Sequence, residues 1–329
     1  MKLLYGAVAA FSLIAVSNFA QNPERAAPKR ELPLWAYPVD QTARHARRPA
    51  APDTGPQHVP GSTESYTEAQ IRDLYAVPDW FPNSHPPMPP IVANGIKPGV
   101  FACGYCHLPN GLGRPENQSV AGLPEAYIEQ QLADFKSGLR ISSAPRMGSA
   151  SEMVQFAKKI TPDEAHAAAV YFSSMKLTPW IRVVESNTAP KTKIERGMLI
   201  PADGGGTEPI GNRVVEVPEN LERTELRDPN SGFIAYVPKG SLKRGENLVM
   251  TGGNGRTIRC TLCHGENLKG LGYVPSIAGR SPSQMARQII DIQTGARNGP
   301  WTQLMKEPVA KLTTADIVAI TAYLASRKP

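Results

Sequence analysis

The sequence predicts a mainly α-helical chain. It consists of two tandem copies of one small helical domain, a Pro-rich arm before them, and an irregular connector with short β-strands between them. Three observations predict this. The string Cys103-Gly104-Tyr105-Cys106-His107 recurs as Cys260-Thr261-Leu262-Cys263-His264. The residues after each string keep a common register. Helix-period apolar stripes with capping residues recur at matching places in both copies, whereas period-two alternation is confined to the stretch between them.

The first element is a targeting segment, residues 1–20. Lys2 precedes an apolar run from Leu3 to Val16, and Ser17-Asn18-Phe19-Ala20 supplies small or neutral residues before a cleavage point expected after Ala20. The run is shorter than the roughly 20 residues a membrane helix needs. Export is therefore expected, and retention of the segment would give membrane association. The arm follows, residues 21–90. Arg44-His45-Ala46-Arg47-Arg48-Pro49 reads as exposed chain and His85-Pro86-Pro87-Met88-Pro89-Pro90 as an extended polyproline-type stretch. Thr67 is a candidate cap for a short helix through Tyr75, and Trp80 and Phe81 imply that part of the arm packs on a domain.

Domain 1 spans residues 91–178 and domain 2 residues 241–329. Cys103 aligns with Cys260 at an offset of 157. The offset holds through Ala121-Gly122 and Ala278-Gly279, Gln131 and Gln288, and Gly138-Leu139-Arg140 and Gly295-Ala296-Arg297. It then becomes 152, matching Thr161 to Thr313 and Tyr171 to Tyr323, so the first copy holds five extra residues between Arg140 and Ile160. In each copy one helix opens near Pro124 or Ser281-Pro282 and stops at Gly138 or Gly295, and a final helix opens on Thr161-x-x-Glu164 or Thr313-x-x-Asp316. Their apolar stripes read as core. In the connector, residues 179–240, alternation at Trp180–Val184, Gly211–Val217 and Gly232–Val237 predicts strands. Gly204-Gly205-Gly206 lacks the following Lys-Ser/Thr pair and helix of a phosphate loop, so the connector is not read as a catalytic domain.

The repeated C-x-x-C-H string is the attachment signature of c-type haem: two thiols add across the vinyl groups and the adjacent histidine reaches the iron. A single copy would be compatible with a redox or zinc motif. Two copies use all 4 cysteines of the chain. Two covalently bound haem c groups are thus expected, on Cys103, Cys106, Cys260 and Cys263, with His107 and His264 as proximal iron ligands. A methionine thioether at the sixth position closes the iron to oxygen and peroxide and suits an electron carrier. In the second copy Met305 is expected there, with Met285 in the core. In the first copy Met153 is favoured because it precedes Ile160 by the same seven residues that separate Met305 from Leu312. Met147 is the alternative, by its forward spacing from His107. His45, His58 and His166 read as exposed, and His85 as part of a linker.

The chain has 36 Lys+Arg against 29 Asp+Glu, a formal charge of +7. Loss of Lys2 and four haem propionates would bring this to roughly +2. No basic cluster is interleaved with aromatics, so nucleic acid is not an expected partner.

The strings His107-Leu108-Pro109-Asn110-Gly111-Leu112-Gly113, Val120-Ala121-Gly122, Gln131-Leu132-x-x-Phe135-x-x-Gly138-x-Arg140 and Ala169-Val170-Tyr171-Phe172 are similar to those of class I cytochromes c. As a tandem, the chain resembles the dihaem cytochromes c4. The resemblance covers the two repeats, roughly half of the chain by count. It implies two class I cytochrome c domains meeting at a pseudo-twofold interface, haem propionates turned toward each other and contacted by Arg140 and Arg297, and electron transfer to a terminal oxidase or other acceptor. Two departures stand out. Pro275 occupies the place where a carbonyl orients the proximal histidine, and the first copy has Gln118 there. The connector is also far longer than in that family. A periplasmic electron carrier between a donor, such as a dehydrogenase or quinol-oxidising complex, and an oxidase or other cytochrome is the expected role, rather than an enzyme. The competing reading is a dihaem peroxidase or a haem subunit of a dehydrogenase complex. A thiosulfate-oxidising site with a cysteine ligand needs a fifth cysteine, which the chain lacks.

Overall fold

The computed structural model describes residues 31–39 and 55–329. The targeting segment, the Arg44–Pro52 stretch and His45 lie outside the described residues.

Within the arm, Thr67 caps α1 (Glu68–Ile71) in a full capping box with Gln70. Ile71, Val59 and Trp80 form a small core, where Tyr66 meets Trp80 edge-on at 4.8 Å. The Trp80 indole donates to the Leu226 carbonyl at 2.8 Å, fastening the arm to the connector. Further upstream, Trp35 and Tyr37 are buried in the large core of the second repeat.

The first repeat contains α2 (Pro90–Ala93), α3 (Cys103–His107), α4 (Glu125–Ser137), α5 (Gly148–Ala157) and α6 (Pro162–Ser174). α4 ends on Gly138 at φ 77°, a left-handed conformation that a residue without Cβ adopts at little cost. Thr161 and Glu164 satisfy each other's end of α6. Buried Ile128, Ala168, Tyr171 and Phe172 share one core with Trp180 and Phe233 of the connector.

The connector carries β1 (Ile181–Ser186), β2 (Thr188–Pro190), β3 (Thr192–Glu195), β4 (Met198–Pro201), β5 (Thr207–Pro209), β6 (Val215–Pro218), α7 (Leu221–Glu225) and β7 (Phe233–Pro238). β7 lies between β1, which it pairs in parallel, and β6, which it pairs antiparallel. β2 with β5 and β3 with β4 form two small antiparallel ladders. The expected strands appear as β1, β6 and β7. The ladders between residues 188 and 209 were not anticipated, because their strands of three or four residues are too short to show alternation.

The second repeat contains α8 (Ser241–Thr251), α9 (Thr261–His264), α10 (Pro282–Thr294), α11 (Gln303–Ala310) and α12 (Thr314–Ala325). α8 crosses α12 closely enough that a Cβ on Gly245 would collide with the Ala319 carbonyl. The core here joins α8, α10 and α12 to Ala235 and Val237 of β7, and Met285 lies within it as expected. No single helix among the described residues is long and apolar enough to cross a membrane.

The two repeats face each other across a short pseudo-symmetric ladder. Ile141 donates its N–H to the Ala296 carbonyl at 2.8 Å, Asn298 donates to Leu139 at 2.7 Å, and Arg140 pairs with Arg297. The long connector does not prevent this arrangement; its sheet packs on α10 and α12 of the second repeat.

The capping box of α12 makes a testable prediction. The Asp316 carboxylate accepts from the Thr313 N–H at 2.9 Å and its hydroxyl at 2.7 Å, and pairs with Arg244 at 2.6 Å. Burial pushes this carboxyl up, but the Thr313 bonds and Arg244 outweigh it and hold it below its ordinary value. Such a group stabilises the fold above its unfolded-state pKa, and that contribution is lost as pH falls through the lower folded value. Asp316→Asn should therefore cost about 1 kcal/mol near neutral pH. In denaturation series, the gap to the parent should close in acid.

Candidate functional site

In the first repeat α3 presents Cys103, Cys106 and His107 to an open cleft of about 1390 Å³, open solvent at its mouth included. Met147, Met153 and Arg140 line the same cleft. So do Gln284, Arg287 and Gln288 on α10, so the second repeat completes the wall of the first repeat's site. Met153 lies on α5, eight residues before Thr161, and Met305 lies on α11, eight before Thr313. The two thus occupy one register relative to the final helix. Met147 precedes α5 and is buried in the core shared with the second repeat. In the second repeat Cys260 and half-buried Met305 pack against that same core, His264 is buried and Cys263 is exposed. Leu262, Leu271, Tyr273 and Leu304 on the surrounding segments expose apolar surface.

The imidazoles are oriented alike. His107 Nδ1 donates to the Gln118 carbonyl at 2.7 Å and His264 Nδ1 to the Pro275 carbonyl at 2.8 Å. The missing proline in the first repeat is thus immaterial, since the acceptor is a main-chain oxygen. With Nδ1–H committed, Nε2 keeps its lone pair for a metal. Burial, against the opposing carbonyl bond, pushes both imidazoles below their ordinary value and favours the neutral form. All four thiols are free. Burial pushes Cys103 up to about 12 and Cys106 and Cys260 up to about 11, unlike the lowered thiols of redox dithiols.

Arg140 and Arg297 meet at the seam rather than apart. Arg140 donates to Gln131 of its own repeat at 2.9 Å and to Gln288 of the other at 3.0 Å. Arg297 donates to its own Gln288 at 3.1 Å, to Gln131 at 2.9 Å and to the Tyr127 hydroxyl at 2.7 Å. Arg140 also reaches the Gln118 side chain at 2.8 Å. These acceptors are all neutral. Burial, reinforced by Arg297, pulls Arg140 down to about 10, and the buried Arg297 Nε has no hydrogen-bond partner. Two neighbouring cations, Arg140 buried and Arg297 half-buried, with no carboxylate hydrogen-bonded to either, are costly. Paired with an apolar cleft and two thiols, they fit an amphipathic group carrying carboxylates, and haem c is such a group.

Several residues at these sites were not evident from sequence. Arg227 follows α7 and stacks on the Tyr105 ring at 3.4 Å, donating to the Tyr105 carbonyl at 2.6 Å, so the connector clamps α3. The His85 side chain is buried rather than part of a free linker. Its Nε2 stands 3.0 Å from Asp79 and its Nδ1 3.1 Å from the Tyr171 hydroxyl, which donates to the Pro109 carbonyl at 2.7 Å. Arg280 is buried between the repeats, where the aligned residue of the first repeat is Leu123. That mismatch, a cation facing a buried leucine in the duplicate, was the available signal. His58 and His166 are exposed.

Two helical units, each presenting C-x-x-C-H with its histidine held by a carbonyl, define a tandem c-type cytochrome. No family model matches the chain. Over 231 residues it is 24% identical to cytochrome c4 of Stutzerimonas stutzeri, covering 68% of this chain and 84% of that one. It is 24% identical over 235 residues to the thiosulfate dehydrogenase electron acceptor of Thiomonas intermedia, covering 70% of this chain and 80% of that protein. Over 94 residues it is 30% identical to the cytochrome subunit of sulfide dehydrogenase of Chlorobaculum tepidum, covering 29% of this chain and 78% of that subunit. The chain belongs to the cytochrome c4-like c-type cytochromes, and its function is electron transfer.

Removing only the Tyr171 hydroxyl tests the clamp between arm and first site. Tyr171→Phe should cost about 0.5–1.5 kcal/mol in chemical denaturation; an unchanged midpoint would show that the Asp79–His85–Tyr171 chain adds no stability.

Proposed function

We propose that this chain is an exported dihaem electron carrier with two covalently bound haem c groups, both closed by methionine, that accepts electrons from a dehydrogenase or similar donor and delivers them to an oxidase or another cytochrome. The observation that carries it is the duplicated site meeting at one seam: two thiol pairs, two oriented histidines and an arginine from each repeat bonded across to the other.

Bound there, haem c supplies a reversible one-electron couple at iron. Cys103 and Cys106 in one repeat and Cys260 and Cys263 in the other hold it by thioether bonds. His107 and His264 would offer a neutral Nε2 to the iron. Met153 and Met305 would offer thioethers to the iron, which would keep water and peroxide from it and favour the reduced state. Arg140 and Arg297 would meet the propionates with guanidinium groups that are hydrogen-bonded to no carboxylate. A closed site in each repeat argues for a carrier over a peroxidase, which needs one site that opens. The relation to an electron acceptor of thiosulfate dehydrogenase supports a dehydrogenase as the donor class. An exported location agrees with thioether haem attachment outside the cytoplasm, and with the targeting segment expected at residues 1–20.

Quantifying the weak far-red iron–methionine band of the ferric protein tests this reading. Two equivalents per chain are expected; fewer would place an open or different ligand in one repeat and favour an enzyme. Met305→Ala should leave both haems attached, halve the band and lower one potential. Met153→Ala should do the same for the other haem, while Met147→Ala should leave the band intact. The opposite pattern for the last two would make Met147 the ligand.

A further inference from the structure

The two carbonyls that orient His107 and His264 belong to equivalent loops, and one side chain grips both. Ser119 follows Gln118 and Ser276 follows Pro275, at the repeat offset of 157. Arg280 is 4% exposed and lies between them. Its Nε donates to the Ser276 carbonyl at 2.8 Å. One terminal nitrogen donates to the Ser119 carbonyl at 2.8 Å and its hydroxyl at 3.3 Å. The other donates to the Ala121 carbonyl at 3.1 Å and the Ser276 hydroxyl at 2.6 Å. All five guanidinium N–H groups are thus used, and every acceptor is a neutral oxygen on one of the two loops. Arg280 has no mate in the first repeat, where Leu123 is buried at the aligned position. Burial pulls its guanidinium down to about 10. A buried cation satisfied only by loop oxygens is an expensive way to close a gap that leucine fills in the duplicate.

We propose that Arg280 is a positioning residue that cross-links the two histidine-orienting loops, so that the imidazole geometry of each site depends on the other repeat. The physical link is short. A carbonyl that accepts from Nδ1–H sets the ring's rotation and its strength as a donor to the metal. Each such carbonyl is one peptide unit from an Arg280 contact. Loosening the clip frees both loops, weakens both Nδ1–H bonds and makes both imidazoles poorer donors. The expected result is an upward movement of both potentials. An effect confined to the second repeat would mean that Arg280 serves only its own loop.

The inference rests on His107 and His264 being axial ligands, and the test separates the two ideas. Arg280→Lys keeps the charge but cannot make the five-bond fork. Ser276→Ala is milder and removes only one hydroxyl. For each purified holoprotein, covalent haem content, both potentials and the hyperfine-shifted proton signals of both haems are measured. Signals are assigned to repeats through Met305→Ala. Haem content should remain at the parent level, and both potentials should rise in Arg280→Lys. In Ser276→Ala the first repeat's signals should shift although the lost hydroxyl belongs to the second. If Arg280→Lys does not fold, Ser276→Ala decides alone. First-repeat signals identical to the parent's would overturn the cross-link. Parent protein lacking covalent haem at either site would instead overturn the two-haem reading on which it rests.

Discussion

The architecture turns on a seam where two guanidinium groups are hydrogen-bonded to neutral amides and a phenol rather than to carboxylates. Arg140 and Arg297 lie side by side, each bonded to a glutamine of its own repeat and to the equivalent glutamine of the other. Like charges at short range in a desolvated interface repel, and neutral amides relieve only part of that. Anions brought to the seam would relieve that cost, and a pair of prosthetic groups with carboxylate edges would supply them. The thiols, the apolar cleft and the oriented histidines are then parts of the same requirement.

Around this seam, the arm and the connector act as braces. Trp80 ties the arm to Leu226, Arg227 presses on Tyr105 within α3, and Tyr37 donates to Asp291 on α10 at 2.8 Å. Asp291 also accepts from Ser143 of the first repeat at 2.6 Å. Segments outside the duplicated domains therefore fix the orientation of the elements that form the sites. Their contacts combine these polar ties with apolar residues shared with each repeat's core, Trp180 and Phe233 in the first and Trp35, Ala235 and Val237 in the second. This explains how a connector of unusual length coexists with a close pseudo-twofold pairing.

Much of this was legible from local signals. Thr161, Thr313 and Ser281 cap the helices they were expected to cap, and Gly138 and Gly295 end α4 and α10. Those are properties of a few adjacent residues. The alternation of β1, β6 and β7 was visible too, but the parallel pairing of β1 with β7 spans more than fifty residues and leaves no local trace. α5 escaped notice because its apolar residues divide between a core and the cleft, which blurs the stripe, and α11 because Pro308 sits inside a helix of 8 residues. His85 looked like linker because its partners Asp79 and Tyr171 come from separate segments. Arg280 was hidden for the same reason: its acceptors, three main-chain oxygens and the hydroxyls of Ser119 and Ser276, lie on two loops far apart in the chain.

The central claim is that both repeats hold a covalent prosthetic group across this seam. The intact mass of the chain, produced with the haem-attachment machinery, tests it most directly. The account predicts a mass above that of the polypeptide by two haem groups, returning to one when Cys260 and Cys263 are both replaced by alanine. A mass corresponding to one group or none in the parent chain would contradict it.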